Sequence, residues 1–169
     1  MAVWNGTVTT QLGLNLITKV MAGKTSLSFT GFKTSDGAFN GVDLKNMVVL
    51  PSIKQEFGVS NISIQNPTTV LVKGVITNTG LSNQYPLNAV GLYATDPDIG
   101  EILFSVTTSD IADVIPAKTN ANTTSLILNV LTSVTDANKV TLSLSEPAIV
   151  TTDMLEIYIK NTDLATETN

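Results

Sequence analysis

The chain of 169 residues contains no cysteine and no histidine, and all nine of its basic residues are lysine. The absence of cysteine excludes disulfides, thiolate metal sites and cysteine nucleophiles. Without histidine, the side chain most often used for acid–base catalysis near neutral pH is missing. Without arginine, the planar fork that binds phosphates and carboxylates is missing as well. This inventory predicts a protein that is not an enzyme and that uses no metal or other cofactor.

Charge and aromatic rings are also scarce. Charged residues make up 14% of the chain, against about 25% in an average soluble domain. The net charge of -5 disfavours nucleic acid as a partner, because binding to its backbone needs a basic surface. Aromatic residues make up only 5%, which leaves few rings to stack on sugars. A surface so poor in charge favours burial of part of it against identical or different neighbours.

Long hydrophobic runs are absent too. No apolar stretch reaches the roughly 20 residues that cross a membrane, and the first residues lack the basic and apolar regions of a secretory signal. The length fits one domain.

The N-terminal part of the chain has the periodicity of a helix. In the segment Thr9–Ala22, apolar residues including Leu12, Leu16 and Val20 recur at helical spacing. Thr9 or Thr10 can cap the start, and Gly23 supplies a left-handed stop. Gly13 interrupts the helix at a cost of about 1 kcal/mol relative to alanine, which predicts close packing at that position.

Beyond this helix the apolar period changes to two, which is typical of strands. The predicted strands are Ser26–Lys33, Ser52–Phe57, Val59–Gln65, Thr69–Thr79, Ala89–Thr95, Glu101–Thr108, Ser125–Val134 and Val140–Ser145. Thr69–Thr79 is apolar on both faces, so we expect it to be central. The last two strands are expected to pair with each other, and Ser109–Thr123 is expected to be a long polar connection. The pattern predicts a mainly β (α+β) fold, an antiparallel β-sandwich-like domain over residues 1–150 with an N-terminal helix.

Residues 151–169 are predicted to form a short C-terminal helix and a tail. Thr152–Lys160 suits a strand or a helix, and the helix is favoured because the cap, the early acids and Lys160 agree with it. Its apolar residues Leu155, Tyr158 and Ile159 are the candidate interface. They either contact another copy or fold back on their own domain.

Three motifs resemble functional sites. Gly23-Lys24-Thr25 is similar to the end of a P-loop, but it follows a helix instead of opening one, so we interpret it as a helix end. Asp96–Glu101 has two carboxylates and a glycine, as in a calcium loop, but lacks the ligand spacing and is predicted to be a hairpin turn. A carboxylate pair for glycoside hydrolysis would come from a local set of acids, which we expect to be solvated residues of turns. These acids are Asp96, Asp98, Glu101, Asp110 and Asp113.

Several segments, in order along the chain, resemble the N-terminal domain of phage tail-collar fibre proteins. They are Thr10–Gly23, Leu27–Gly37, Leu87–Pro97, Gly100–Phe104, Ile115-Pro116 and Val150–Asn161. One departure is that the family usually carries an Arg-Glu pair before its Gly-Leu-Tyr motif, where this chain has Asn88 and Ala89.

The resemblance implies a structural protein of a phage or prophage tail, assembled in the bacterial cytoplasm and located in the virion. Such a protein attaches a fibre or adhesin to the baseplate, contacts other tail or baseplate proteins and forms homo-oligomers, with a trimer favoured. The chain would be either a truncated fibre anchor or a complete short member. Leu16, Leu92 and Tyr93 are expected in its core. The alternative function is a receptor- or carbohydrate-binding adhesin module.

Overall fold

The computed structural model describes residues 2–134 and 140–141. One helix and twelve strands lie in these ranges. In chain order they are β1 (Val3–Trp4), β2 (Val8–Thr9), α1 (Gln11–Met21), β3 (Leu27–Ser35), β4 (Ile53–Phe57), β5 (Asn61–Asn66), β6 (Thr69–Thr77), β7 (Tyr85–Pro86), β8 (Ala89–Asp96), β9 (Gly100–Ile111), β10 (Val114–Ile115), β11 (Ser125–Ser133) and β12 (Val140–Thr141). The expected mainly β fold with antiparallel sheets and an N-terminal helix is confirmed.

The larger sheet is built on the hairpin of β8 and β9. Strand β3 pairs with the other side of β8, and β4 and β12 pair with different parts of β3. The short strands β1 and β2 both pair with β9 and together form one interrupted edge. This sheet therefore has seven strands in the described part of the chain.

A three-stranded sheet, in the order β11-β6-β5, lies against one face of the larger sheet. Strand β6 is central, as its apolar faces predict, and it pairs with β11 over nine residues without a bulge. The contact between the sheets is close at Gly74 of β6, where an added Cβ atom would lie 2.6 Å from the ring of Phe32 on β3. Only glycine fits this position without displacing that ring.

The main core lies between the two sheets and under the helix. Phe29 and Phe104 meet there edge to face, with ring centroids 5.2 Å apart. Leu16 of the helix and Leu92 of β8 belong to the same cluster and are fully buried. A smaller core on the opposite face contains Tyr93, and the loop 36–52 covers it with Leu50. The three expected core residues are thus buried on two different faces of the sheet.

The helix forms where the periodicity predicts it. Thr10 is its N-cap, and its hydroxyl accepts a hydrogen bond from the Gly13 amide at 3.0 Å. Gly23 has a φ of 74°, the left-handed conformation that a C-terminal glycine supplies. Gly13 packs with its Cα against the Phe104 carbonyl oxygen, where an added Cβ atom would clash. The predicted close approach at Gly13 is confirmed.

Two details of the strand prediction are wrong. Val140 and Thr141 do not pair with Ser125–Ser133; they pair in parallel with Leu27 and Ser28 of β3. Strand β4 pairs with β3 only at Phe32–Ser35, so the first residues of β3 are left for β12. The connection expected at Ser109–Thr123 begins inside β9 and contains β10, which pairs with β7.

The predicted C-terminal helix, the boundary at residues 150 and 151 and the candidate interface residues Leu155, Tyr158 and Ile159 lie outside the described residues.

Candidate functional site

The turn of the β8–β9 hairpin is joined to the helix by a network of charges. Asp96 is 2% exposed, and Lys19 Nζ lies 2.8 Å from both of its carboxylate oxygens. Asp98 also contacts Lys19, at 2.8 Å. Asp96 Oδ1 further accepts hydrogen bonds from the amides of Asp98 and Ile99, at 2.8 and 3.2 Å. Gly100 completes the turn with a φ of 97°.

The predicted hairpin turn is therefore confirmed, but the expected solvation of Asp96 is wrong. Burial by itself raises the pKa of Asp96, whereas the hydrogen bonds from Lys19 and the two turn amides outweigh burial and lower that pKa below its ordinary value. The same hydrogen bonds to the carboxylates raise the pKa of Lys19. The sequence shows the acids and the lysine, but their contact spans 77 positions and depends on the docking of the helix.

The side chains of Glu101 and Asp110 have other partners, and Asp113 makes a backbone contact. Glu101 contacts Lys33, with Oε1 2.9 Å from Nζ, and accepts a hydrogen bond from Thr30. Asp110 accepts a hydrogen bond from the Asn5 side chain at 3.0 Å. The backbone carbonyl of Asp113 accepts one from the Leu87 amide. The side-chain contacts of the set are thus divided among Lys19, Lys33, Thr30 and Asn5.

A groove of about 660 Å³ beside Lys33 is lined by residues of both sheets and is a site that the sequence did not reveal. Its lining includes Lys33, Glu56, Tyr93 and Glu101 together with threonine, serine, glycine and apolar residues. Lys33 Nζ lies 4.3 Å from the centroid of the Tyr93 ring and 3.6 Å from Glu56 Oε1. The feature of the sequence that could have indicated this groove is Lys33, the single charged residue of strand β3.

The charges in this groove hold Lys33 in its protonated form. Burial acts to lower the pKa of Lys33, but the hydrogen bond and charge of Glu101 outweigh burial and raise it. Lys33 in turn lowers the pKa of Glu101. Burial raises the pKa of Tyr93. A lysine that stays protonated is a poor nucleophile or base, so the groove can bind or position a group but has no activated side chain at Lys33.

Asn88 and Ala89, the two residues before the Gly-Leu-Tyr motif, have structural roles in this chain. The Asn88 side chain donates hydrogen bonds to the backbone carbonyls of Asp36 and Gly37, at 3.0 and 3.1 Å, and so ties the start of β8 to the turn after β3. Ala89 is completely buried beside Leu50 and Val106. A glutamate at this position would bury a charge, which explains why the small apolar residue fits.

Within residues 2–134 and 140–141, no group of three or more acidic, histidine or cysteine side chains is placed to hold a metal ion. The helix in this part of the chain is too short and too polar to cross a membrane.

Comparison with known proteins gives no relative for this chain: no family model matches it, and neither the curated proteins nor the solved structures contain a match.

Proposed function

We propose that this chain is a structural protein of a phage or prophage tail, which attaches a fibre or adhesin to the baseplate without catalysis. The proposal rests on the resemblance of its segments to tail-collar fibre proteins. It also includes the location in the virion, contacts with other tail or baseplate proteins, and self-association.

The observation that supports the proposal is that the resembling segments pack on one another. The opening helix contacts the hairpin at both of its ends. At the first end, the Thr10 hydroxyl donates a hydrogen bond to the Leu103 carbonyl, and its amide donates one to the Phe104 carbonyl. At the other end, Lys19 binds Asp96 and Asp98.

The chemistry of the described residues fits this role. Four of the five acids of the predicted set, Asp96, Asp98, Glu101 and Asp110, have side-chain contacts with Lys19, Lys33 or Asn5. Attachment through complementary surfaces that become buried needs no activated side chain, whereas hydrolysis needs a positioned acid and base.

An adhesin that binds carbohydrate or a cell-surface receptor is the alternative function. The groove beside Lys33 offers it little support, because Tyr93 is 6% exposed and the ammonium group of Lys33 already lies over its ring. Sugar recognition by stacking would need an accessible ring face.

The proposal can be tested in the strain that encodes the chain. Tail particles are purified after induction, and the chain is sought in them by mass spectrometry. We expect the chain at a fixed ratio to the baseplate proteins, and we expect a deletion strain to release particles that lack the fibre and adsorb poorly. Complementation with the wild-type gene, or with the exposed-site variant Thr18→Ala as a matched control, should restore adsorption. Purified particles that never contain the chain would refute the proposal.

A separate measurement decides the oligomeric part. A threefold contact through Leu155, Tyr158 and Ile159 predicts a trimer by light scattering and a folded monomer after removal of residues 152–169. Unfolding by the same truncation would instead place this segment in the core of its own domain.

A further inference from the structure

Within the described part of the chain, strand β11 forms an edge of the three-stranded sheet that lacks the usual protection. Among residues 2–134 and 140–141, its strand partner is β6 alone. Its sequence, Ser125-Leu-Ile-Leu-Asn-Val-Leu-Thr-Ser133, contains no charged residue and no proline, and its pairing with β6 has no bulge. Natural edge strands are commonly protected from pairing with other chains by lysine, proline or a bulge. The edge of β11 is therefore suited to accept a further strand.

The pattern of hydrogen bonds shows which backbone groups point toward this edge. The Val134 amide donates to the Thr68 carbonyl at 2.7 Å, and the Asn78 amide donates to the Thr124 carbonyl at 3.3 Å. Both pairs continue the register of β11 with β6, in which Leu128 lies opposite Gly74. In an antiparallel ladder, alternate residues direct both backbone groups to the same neighbour. The even-numbered residues of β11 thus face β6, and the odd-numbered residues direct their N–H and C=O groups to the open edge.

The odd-numbered residues also present exposed apolar side chains. Ile127 is 57% exposed and Leu131 is 60% exposed, and Asn129 lies between them and is exposed as well. The whole chain carries a net charge of -5, so two copies repel each other wherever acidic surfaces approach. The uncharged β11 allows two copies to meet without burying a charge, which would be costly.

We propose that β11 pairs antiparallel with β11 of a second copy, about a twofold axis that passes through Asn129. The sequence of the strand is nearly symmetric about this residue. In this register Ile127 faces Leu131 of the second copy, Asn129 faces Asn129, and Ser125 faces Ser133. Every pair of odd-numbered residues therefore matches in polarity. All backbone groups that the odd-numbered residues direct outward are paired, and the twofold contact closes on itself.

Other registers fit less well. A shift of the second copy by two residues keeps the backbone hydrogen bonds, but it places Ile127 opposite Asn129 and leaves Leu131 opposite Ser125. Only the register centred on Asn129 pairs all nine residues and keeps both apolar pairs.

A groove of about 560 Å³ beside β11 provides additional contact area. Its far side is formed by Trp4, Asn5, Gly6 and Thr7, which lie on the interrupted edge of the larger sheet. A stable complex usually buries about 800 Å² on each partner, so we expect the contact to include this groove as well as the paired strands. Trp4 is 37% exposed and is the single tryptophan of the chain, so it reports on this contact.

The register can be tested by cysteine cross-linking, because the chain has no cysteine of its own. In Asn129→Cys the two thiols face each other at a hydrogen-bonded pair, where Cα atoms lie about 5.5 Å apart, within the range that a disulfide spans. We expect mild oxidation to convert most of this variant to a species of twice the protomer mass on a non-reducing gel.

The matched controls are Ser125→Cys and Ser133→Cys, which lie at exposed positions of the same edge. Each alone places its own two thiols eight residues apart along the strand, or about 26 Å, and should not cross-link. A mixture of the two variants should cross-link, since Ser125 faces Ser133 of the second copy. If Asn129→Cys cross-links no faster than Ser133→Cys alone, the proposed register is wrong.

Charge variants test the contact without any covalent bond. Ile127→Lys alone and Leu131→Glu alone should each shift the wild-type dimer to monomer in sedimentation velocity, with an unchanged circular dichroism spectrum. The two substitutions in one chain place opposite charges face to face twice across the axis and should restore the dimer. A wild-type chain that sediments as a monomer at high micromolar concentration would overturn the proposal. A trimer that Ile127→Lys leaves intact would also overturn it, and would favour a threefold contact through another surface.

Discussion

Replacement of Gly13 by alanine tests how closely the helix is packed on the β8–β9 hairpin. Judged by helix propensity alone, this substitution should stabilise the protein by about 1 kcal/mol, because glycine is among the poorest residues in a helix interior. The structure predicts the opposite sign. A Cβ atom at this position would overlap the backbone carbonyl oxygen of Phe104, which belongs to a central strand and has little room to move.

The magnitude follows from the contacts around that carbonyl. Overpacking by a methyl group typically costs about 1–3 kcal/mol. The Phe104 oxygen also accepts hydrogen bonds from the amide and the hydroxyl of Thr10, at 2.9 and 3.2 Å. Moving the helix away weakens both, and each is worth about 0.5–1.5 kcal/mol. After the gain in propensity is subtracted, we expect Gly13→Ala to lower the free energy of unfolding by about 2 kcal/mol.

The assay is urea unfolding followed by far-ultraviolet circular dichroism, with a thermal melt as a second measure. For a chain of this size, about 2 kcal/mol corresponds to a fall in Tm of about 4–8 °C. Thr18→Ala is the matched control, because Thr18 lies on the exposed side of the same helix and its replacement should be neutral or slightly stabilising. If Gly13→Ala is as stable as the wild type or more stable, the close approach of helix and hairpin does not exist in solution.

Three further predictions concern other contacts. Gly74→Ala should lower the free energy of unfolding, since its Cβ atom would lie 2.6 Å from the Phe32 ring. Phe32→Leu in the same chain should recover part of that free energy, as measured by urea unfolding. A Gly74→Ala variant with wild-type stability would contradict the packing of the two sheets. The pKa of Asp96 is lowered from its ordinary 3.8, so its contribution to stability is complete above that value and is lost as the pH falls through the lower pKa of the folded state. The urea midpoint of Asp96→Asn should therefore fall less than that of the wild type between about pH 5 and pH 2. Parallel curves of midpoint against pH for the two proteins would refute the role of Asp96. Millimolar calcium should leave the Tm unchanged, because Lys19 occupies both oxygens of Asp96, whereas a chelator-reversible rise of several degrees would reveal a bound ion.

The sequence by itself determined the local elements of this protein. The helical spacing of Leu16 and Val20, the cap at Thr10 and the stop at Gly23 predict α1 to within about two residues at each end, and the Asp96–Gly100 turn follows from its residue types. The alternation in Thr69–Thr79 identifies a central strand. These features depend on neighbours in the chain, so their signals are local.

The tertiary structure decided which distant residues meet. The burial of Asp96 against Lys19, the position of Lys33 over Tyr93 and the parallel pairing of Val140 with Leu27 all join segments that are far apart in sequence. Periodicity shows which face of a strand is apolar, but it contains no information about the strand or helix that covers that face. The edge position of β11 in the described part of the chain has the same origin. Its composition can be read from the chain, but its place at the border of a sheet follows only from the way the strands are ordered.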